Sequence, residues 1–583
     1  MNALYVADGA PPSLPGITEA APTLDWWLLA PYLVVFGAGV LAVLFEAFVP
    51  KRSLRPVQIT VAAAALIAAF TLIVLQVETV GAGGAMIAGG VLAVDGTVLF
   101  LQGTIAVLAL VSLMLIAERR DGRDAFSAQA ATVPGSEEER RHILAGSQHT
   151  EVYPLVLFAV LGMLMFPAAN DFLTMFIALE VMSLPLYLLC ALARRRRLFS
   201  QEAAVKYFLL GAFSSAFFLF GIAMVYGYAG SVNFAAIRAA VESGGAEIFA
   251  QGDGEPLLIM GIGLVAIGLL FKVGAVPFHN WKPDVYQGAP TPITALMASC
   301  TLVAAFGALL RVFFVPFGGS VEIWEPMLWT VAILTMVVAA FIAVTQRDVK
   351  RLLAYSSVVH AGFILTAVIA SSTEGLAGAM FYLAAYGFTT LGAFAIVTLV
   401  RTRDGGQELG DLDGWAGLGR RSPGLALALS LFLLAFAGIP LTSGFIGKFA
   451  VFEAAVAAGA TPLVVVGVLS SAVTAFFYVR IIVVMFFRDS EGEGPTVARA
   501  GVLTGGVITV GVAATLALGI FPGPVLDNLL PSSETGGEPA AVMIYQVTDG
   551  GRPTDFSTVS DPGVALDLHS GSDTVASRIM FMC

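Results

Sequence analysis

The chain has 583 residues, of which 58% are hydrophobic and only 12% are charged. Together with a mean hydropathy of +0.87, this balance excludes a water-soluble globular protein and indicates an integral membrane protein. The formal net charge of −11 is spread through loops and terminal regions without a long block of one sign, so it points to no basic partner and no nucleic acid.

The N-terminal residues 1–25 are acidic and rich in proline. They lack the cationic start of a signal peptide, so we expect an external segment there. A helix needs about 20 apolar residues to cross the hydrocarbon core of a bilayer. At that length the sequence predicts fourteen transmembrane helices, near residues 26–48, 57–79, 93–117, 152–168, 170–193, 201–229, 257–281, 290–315, 325–345, 349–371, 375–400, 424–457, 461–487 and 500–522. The predicted fold class is therefore an all-α polytopic membrane protein.

Lysine and arginine are concentrated in the loops that follow the odd-numbered predicted helices. They follow helices one, three, five, nine, eleven and thirteen, and Lys282 alone marks the short loop after helix seven. Cytoplasmic loops of membrane proteins carry an excess of these two residues. The pattern therefore predicts that these loops face the cytoplasm and that both termini lie outside it.

Two regions between and after the predicted helices are polar. Residues 118–150 are predicted to form a cytoplasmic loop. Residues 530–583 form a Gly-, Asp- and Ser-rich external tail without helical or strand periodicity, which we expect to be disordered. The predicted helices then fall into four groups, which are three N-terminal helices over 26–117, five over 151–315, five over 325–487 and a final helix over 500–522.

The two groups of five each contain an interrupted helix beside a lysine. The seventh helix reads FKVGAVPFH, with Lys272 five residues before Pro277, and the twelfth reads GIPLTSGFIGK, which ends in Lys448. Interrupted helices in corresponding positions are typical of inverted-repeat transporters, where unwound backbone meets ions near the bilayer midplane. We therefore expect two inverted five-helix repeats that contain broken helices.

Lys272 and Lys448 are the strongest candidate functional residues, because long uncharged stretches, 257–271 and 422–447, precede them. An ammonium group at a helix centre costs about 2.5 to 3.5 kcal/mol on membrane-insertion scales, so a chain that keeps several such groups is expected to use them. The sequence therefore predicts that the protein handles charge inside the membrane.

Other ionisable residues also lie within predicted helices. Glu180 is isolated in an apolar stretch, and Lys206 on the next helix is a candidate partner. A Glu/Lys pair that separates and rejoins can release and recapture a proton. A static ion pair, or an intrahelical pair between Lys206 and Glu202, is the alternative. His279 and His360 can relay protons or can be ordinary packing residues.

Several motifs of redox and nucleotide chemistry are absent from the sequence, including a Gly-rich phosphate loop, a CxxC pair and an HExxH motif. The three cysteines lie far apart, so they predict neither a disulfide framework nor a thiolate metal site. Nucleotide, iron–sulfur and haem chemistry are therefore expected to take place outside this chain.

Five stretches of the sequence match one known family. They are EVMSLP from Glu180, EAAVKYF around Lys206, FKVGAVPFHNWKPDVYQGAP from Phe271, KRLLAYSS from Lys350 and GIPLTSGFIGKF, which ends at Phe449. Together they resemble the antiporter-like membrane subunits of respiratory complex I, and the lysine of the last stretch most resembles the subunit N type. The resemblance covers roughly residues 26–522.

The resemblance implies six proton-translocating residues, which are Glu180, Lys206, Lys272, His279, His360 and Lys448. Glu180 and Lys206 would form the gating pair of the first half-channel. Lys272 would be the central proton carrier, Lys448 would be the carrier of the second half-channel, and the two histidines would be connecting elements. Several relatives have another lysine on the eighth helix, where this chain has Leu302. The connection would then rely on serines, threonines, water and a histidine.

By the same resemblance, the chain would be a subunit of a proton-translocating NADH:quinone oxidoreductase in a bacterial plasma membrane. It would hold no cofactor and would not bind NADH, whereas FMN, iron–sulfur clusters and quinone would belong to partner subunits. Its partners would be other membrane subunits of the complex and the lipid bilayer. Two alternatives stay open, which are a subunit of a multisubunit cation/proton antiporter and a non-conducting structural subunit.

Overall fold

The computed structural model describes residues 24–80, 83–119, 124–126, 136–138, 141, 150–245, 254–402, 407–489, 495–529, 544–549 and 552–558. The α-helices in this part of the chain are α1 (Trp26–Phe48), α2 (Lys51–Val80), α3 (Gly96–Ala117), α4 (Val152–Met165), α5 (Phe172–Cys190), α6 (Arg197–Ala229), α7 (Phe234–Ser243), α8 (Glu255–Val273), α9 (Trp281–Gly288), α10 (Thr291–Leu296), α11 (Leu302–Phe314), α12 (Val321–Thr345), α13 (Val349–Ala370), α14 (Thr373–Val397), α15 (Leu418–Arg421), α16 (Pro423–Ala437), α17 (Ser443–Ala457), α18 (Thr461–Phe487), α19 (Val502–Ile520) and α20 (Gly523–Leu529). Three antiparallel strand pairs accompany them, which are β1 (Ala85–Ile87) with β2 (Leu92–Val94), β3 (Val400–Arg401) with β4 (Thr496–Val497), and β5 (Ile544–Asp549) with β6 (Arg552–Thr558).

The predicted all-α polytopic fold is confirmed, although the number of full-length spans is lower than predicted. Among the described residues, twelve helices are long and apolar enough to cross a membrane, or thirteen when one bent pair is counted. One of the twelve is the pair α10 and α11, which a π-helical turn over Met297–Thr301 joins into a single span. Of the fourteen predicted helices, 152–168 is a shorter apolar helix and 424–457 is broken into α16 and α17.

Both predicted helix breaks are confirmed, and glycine ends the first half of each broken helix. The residues after α8 and α16 are Gly274 and Gly438, with φ values of 80° and 82°. A left-handed backbone at the end of a helix favours glycine, and a proline just beyond prevents the helix from resuming. Pro277 and Pro440 occupy that position. The sequence therefore encodes both breaks locally.

The broken helices occupy matching places in the predicted division of the chain. Within 151–315 and within 325–487, the broken helix is the fourth of five. Five crossings bring a chain to the other side of the membrane, so a second group of five starts on the opposite side from the first. The inverted relation between the two groups follows from this count and stays a prediction.

The described helices differ strongly in burial, and this difference locates the centre of the protein. In the span over α10 and α11 and in helix α13, all residues of the most apolar 18-residue stretch are buried, and in α14 94% of them are. By contrast, α2, α6 and α19 are only 33% buried and lie on the outside. Side chains that project between α10, α13 and α14 are therefore shielded from lipid.

The C-terminal tail differs in part from the sequence prediction. Disorder over 530–583 is wrong for 544–549 and 552–558, which pair as strands with Ile544 opposite Thr558. The physical reason is local, because two stretches with Ile, Tyr, Val, Phe and Thr flank the sequence DGGR, which favours a tight hairpin turn. The other tail residues, and most of the predicted loop over 118–150, lie outside the described residues.

A buried ion pair connects the N-terminal helices to the first group of five. Arg311 in α11 donates to Asp95 at 2.6 Å, and the two side chains are 0% and 1% exposed. Asp95 also accepts from the backbone N–H of Val98 at 2.9 Å and so caps the start of α3. One carboxylate therefore fixes both the first turn of α3 and the position of α11.

We expect Arg311→Ala to lower the stability of the subunit by about 3 to 5 kcal/mol, because it leaves the Asp95 carboxylate buried without its cation. The apparent melting temperature of the detergent-purified protein measures the effect. The matched control is Arg420→Ala, because Arg420 pairs with Asp489 on the surface, where both side chains are more than 70% exposed and such pairs contribute little. Equal melting temperatures for the two variants would contradict the prediction.

Candidate functional site

Lys272 lies in the last turn of α8 with only 4% of its surface exposed. Its ammonium group donates hydrogen bonds to Ser183 Oγ at 2.7 Å and to the Tyr207 hydroxyl at 3.1 Å. It also lies 5.3 Å from the centre of the Tyr207 ring. These partners come from the neighbouring helices α5 and α6, and both are neutral groups. The structure thus places Lys272 inside the protein, as the sequence predicts.

Glu180 and Lys206 do not pair with each other in this structure, contrary to the sequence prediction. Glu180 accepts a hydrogen bond from Ser215 at 2.5 Å. Lys206 instead forms ion pairs with Glu202 and Asp284, both at 2.7 Å. Ser215 follows Lys206 by nine residues on α6, which is about 13 Å along a helix that rises 1.5 Å per residue. Glu180 therefore contacts α6 at a position well separated from Lys206. The structure contains the predicted alternative, the intrahelical pair between Lys206 and Glu202.

Asp284 is a charged residue that the sequence analysis did not single out. Its carboxylate accepts hydrogen bonds from Lys206 at 2.7 Å and from Arg351 Nη1 at 2.5 Å. Because these residues belong to α9, α6 and α13, the cluster joins three helices beside the first break. Its partners are 67 and 78 residues away in sequence, so no local pattern could have indicated it.

Lys282 is the most important residue that the sequence analysis misread. We expected it to mark a cytoplasmic loop, but it lies in α9 with only 2% of its surface exposed. Its ammonium group donates to the backbone carbonyl of Val273 at 2.8 Å and to Ser357 Oγ at 2.9 Å. The expectation failed because α8 stops at Val273, so the chain after the break stays inside the bundle. Its position just after a helix break was the available signal. Leu302, at the position on the eighth predicted helix where the resemblance implied a lysine, is buried and apolar.

His360 is the centre of a buried polar cluster between α13, α14 and α18. Its Nδ1 lies 2.5 Å from the Tyr382 hydroxyl, and its Nε2 lies 3.2 Å from the Tyr478 hydroxyl. The Tyr478 hydroxyl in turn is hydrogen-bonded to Ser356, one turn before His360. The tyrosines look like ordinary packing residues in the sequence, because single aromatic residues are common in apolar helices. The histidine and serine spacing was the only local signal for the cluster.

Lys448 lies in α17 and is also buried, with 6% of its surface exposed. Its ammonium group donates to the carbonyls of Phe436 and Ala437 and to Ser471 Oγ, all at 2.9 Å. It lies 4.9 Å from the centre of the Phe363 ring, which is 5.7 Å from the His360 ring. Only one aromatic ring therefore separates Lys448 from the histidine cluster.

A small cavity of about 10 Å³ lies beside His360, between Tyr386, Phe436 and Ser443. This volume matches about one water molecule. Ser443 Oγ is buried there without a hydrogen-bond partner among the described residues. A water molecule in the cavity would satisfy this hydroxyl and would extend the polar cluster towards α17.

His279 is buried after the first helix break, but the structure gives it no hydrogen-bonded relay. Its ring lies 6.0 Å from the Tyr355 ring. Neither ring nitrogen meets hydrogen-bond geometry with another group in the described part of the chain. A relay role for His279 therefore stays a prediction, and the packing role that we kept as its alternative is consistent with these contacts.

Glu408 lies in the loop before α15 and binds residues at the starts of two central helices, α13 and α10. Its carboxylate forms a 2.7 Å ion pair with Lys350 in the first turn of α13 and accepts a hydrogen bond from Thr291 at the start of α10. Burial alone would raise the pKa of Glu408, but Lys350 and Thr291 stabilise the charged form and lower the pKa to about 2. The loop is therefore held by a carboxylate that stays ionised in moderate acid.

We expect Glu408→Gln to destabilise the protein at pH 6 by roughly 3 kcal/mol, from the 1.36 kcal/mol that accompanies each pKa unit. Because the folded pKa lies below the usual 4.5, this contribution is complete above pH 4.5 and disappears as the pH falls towards 2. Melting temperatures of both proteins between pH 6 and pH 3 should therefore converge. The exposed Glu78→Gln serves as the control, and a pH-independent difference would contradict the prediction.

The sequence of this chain is similar to those of known membrane proteins. Residues 169–474 match the family described as NADH:quinone oxidoreductase/Mrp antiporter, TM. The NADH-quinone oxidoreductase subunit N of Thermobifida fusca (strain YX) is 71% identical over 533 residues, which are 91% of this chain and 96% of that protein. The family match over residues 169–474 thus spans both broken helices and the positions of the buried lysines described above.

Solved structures give the same result. A chain of respiratory complex I from Thermus thermophilus, determined with bound aureothin, has a TM-score of 0.67 and 32% identity, and the match covers 85% of this chain and 98% of that chain. A chain of the Mrp complex from Dietzia sp. DQ12-45-1b has a TM-score of 0.68 at 23% identity, with 85% and 96% coverage. The second likeness shows a shared fold alone.

Proposed function

The chain belongs to the NADH:quinone oxidoreductase/Mrp antiporter family of membrane proteins, and its subunit N members are highly similar to it. We propose that it translocates protons as subunit N of an NADH:quinone oxidoreductase. The observation that best supports this proposal is that Lys272 and Lys448 are buried within the bundle and are held by neutral groups. An ammonium group in a salt bridge keeps its proton. A lysine among hydroxyls and carbonyls can form hydrogen bonds in both its charged and its neutral form.

Polar groups connect the two halves of the protein near its centre. Lys282 contacts Ser357 on α13, and the neighbouring Ser356 contacts Tyr478, which reaches His360. Protons can move along hydroxyl and imidazole groups without large side-chain movements. We assign proton transfer to this route, with Lys272 at one end and Lys448 at the other.

The gating role of Glu180 and Lys206 is a separate part of the proposal. Glu180 precedes Ser183, which binds Lys272, by three residues, or about one turn of α5. Lys206 would have to leave Asp284 before it could approach Glu180, so the gating step would be an exchange of carboxylate partners. Such an exchange changes the field at Lys272 and thereby its tendency to hold a proton.

The energy for transport would come from quinone reduction in partner subunits. Moving one charge against 100 mV requires about 2.3 kcal/mol, which is on the scale of rearranging a buried charged pair. FMN, iron–sulfur clusters and quinone would be held by those partners and not by this chain. We further propose a bacterial plasma membrane location with both termini outside the cytoplasm, as the distribution of lysine and arginine indicates.

Proton uptake by membrane vesicles that contain the assembled complex tests the proposal. We expect Lys272→Ala and Lys448→Ala each to lower the rate of NADH-driven proton uptake about tenfold or more, because a positioned proton-transfer group typically contributes about 10²- to 10⁴-fold. The amount of assembled complex is measured in the same vesicles, and rates are expressed per complex. The control is Lys51→Ala, which removes an exposed lysine at the start of α2.

Two results would overturn the proposal. Normal proton uptake per assembled complex in both variants would leave the chain a structural subunit, in which buried charges only fix helix packing. Sodium-dependent proton release without NADH or quinone would instead indicate a cation/proton antiporter subunit.

A further inference from the structure

We propose that Lys282 is a third proton carrier in this chain and is the counterpart, in the first broken helix, of Lys448 in the second. The inference deepens the proposed function and rests on it. Lys282 is buried, titratable and held by neutral groups, whereas the carboxylate of its own helix, Asp284, pairs with Lys206 and Arg351 instead.

The first observation is where the two ammonium groups bind. Lys282 donates to the carbonyl of Val273, which is the last residue of α8. Lys448 donates to the carbonyl of Ala437, which is the last residue of α16. The last carbonyls of a helix have no partner within the helix, and the lipid chains of a membrane supply no donor to replace it. Each lysine therefore satisfies the carbonyl end of a helix that stops inside the bilayer.

The second observation is how the two side chains reach these carbonyls. A Cβ atom at Gly274 would lie 2.5 Å from Cδ of Lys282, and a Cβ atom at Gly438 would lie 2.9 Å from Cδ of Lys448. Each aliphatic stem thus packs directly against the glycine that ends the preceding helix. The glycines allow both the left-handed backbone and the passage of the lysine stem.

The third observation is the other hydrogen-bond partner. Lys282 donates to Ser357 Oγ on α13 and Lys448 donates to Ser471 Oγ on α18, both at 2.9 Å. Both broken helices therefore present the same set of groups, namely a helix-end carbonyl, a glycine surface and a serine hydroxyl from another helix. This set is a repeated structural unit built around a lysine.

The same comparison corrects the correspondence that the sequence suggested. Lys272 precedes its cap glycine, Gly274, by two residues, and the residue two positions before Gly438 is Phe436. Lys272 therefore has no lysine counterpart in the second broken helix. The first half of the protein contains two buried lysines near its break, where the sequence pattern indicated one.

Lys282 also occupies the place where a connecting carrier is needed. Val273, which it contacts, directly follows Lys272, and Ser357, which it also contacts, precedes His360 by three residues, or about one helical turn. A carrier at this position links the Lys272 end of the route to the histidine cluster.

The transfer step needs no reactant other than the transported proton. The Lys282 ammonium group passes one proton to Ser357 Oγ while the serine hydroxyl passes its own proton towards the cluster around His360. The resulting neutral amine then accepts a proton from the Lys272 side, which restores the ammonium group. One proton enters the segment and one leaves it.

Substitution of Lys282 in the assembled complex tests the inference. We expect Lys282→Gln and Lys282→Arg each to lower NADH-driven proton uptake per complex about tenfold or more. Glutamine keeps a hydrogen-bond donor but does not titrate, and arginine keeps the donors and the charge but does not release its proton. If Lys282 only caps the end of α8, the arginine variant should work like the unsubstituted protein. That result would overturn the inference.

A histidine variant gives an independent readout. Lys282→His should retain part of the uptake and should shift the pH profile of the rate towards acid, because imidazole titrates near pH 6.5 and an amine near pH 10.4. A purely structural role would reduce the rate without moving the profile, and an unmoved profile would overturn the inference. This comparison stays decisive if the glutamine variant fails to assemble. Lys51→Gln, at an exposed position, is the matched control.

The outcomes for Lys282 can be separated from those of the proposed function. Impaired uptake in Lys272→Ala and Lys448→Ala together with normal uptake in Lys282→Gln would overturn this inference alone. Normal uptake in all three variants would overturn the proposed function and the inference with it. Impaired uptake in all three, together with the acid-shifted profile, would support both.

Discussion

Helix ends inside a bilayer impose the constraint on which the rest of this structure depends. Every backbone carbonyl that loses its helical partner there needs another donor, because the lipid chains supply none. Among the described helices, α8 and α16 both stop within the bundle, and buried ammonium groups donate to their last carbonyls. Three donors on each ammonium group make lysine well suited to this task. The breaks and the buried lysines are therefore two parts of one solution.

The same solution gives the protein its chemistry. Because Lys282 and Lys448 bind carbonyls and hydroxyls and not carboxylates, their charge is not locked by a salt bridge. True ion pairs occur elsewhere, in the Asp95–Arg311 pair and in the Lys350–Glu408 pair that anchors a loop. The molecule thus separates charges that hold helices in place from charges that can change. That separation is what a proton-translocating subunit requires.

Residues with a local signal were predicted well. Lys272, Lys448 and the two helix breaks stood out because charge, glycine and proline are rare in apolar stretches, and a single sequence shows such exceptions directly. Asp284 and the tyrosines around His360 gave no such signal, since their roles arise from partners many residues away. Lys282 was misread because its surroundings look like a loop when the turn of the chain at Gly274 is not known.

The sequence by itself determined the membrane environment, the helical class, the places where helices break and the cost of each intramembrane charge. These properties depend on composition and on neighbours within a few residues. Only the tertiary structure decided which charges meet. It paired Lys206 with Asp284 and left Glu180 with Ser215, and it brought Lys282 to the end of α8. The reason is that contacts between helices depend on how each helix is rotated about its axis and how deep it lies in the membrane. A hydrophobic span of nearly uniform polarity contains no local sequence signal for either.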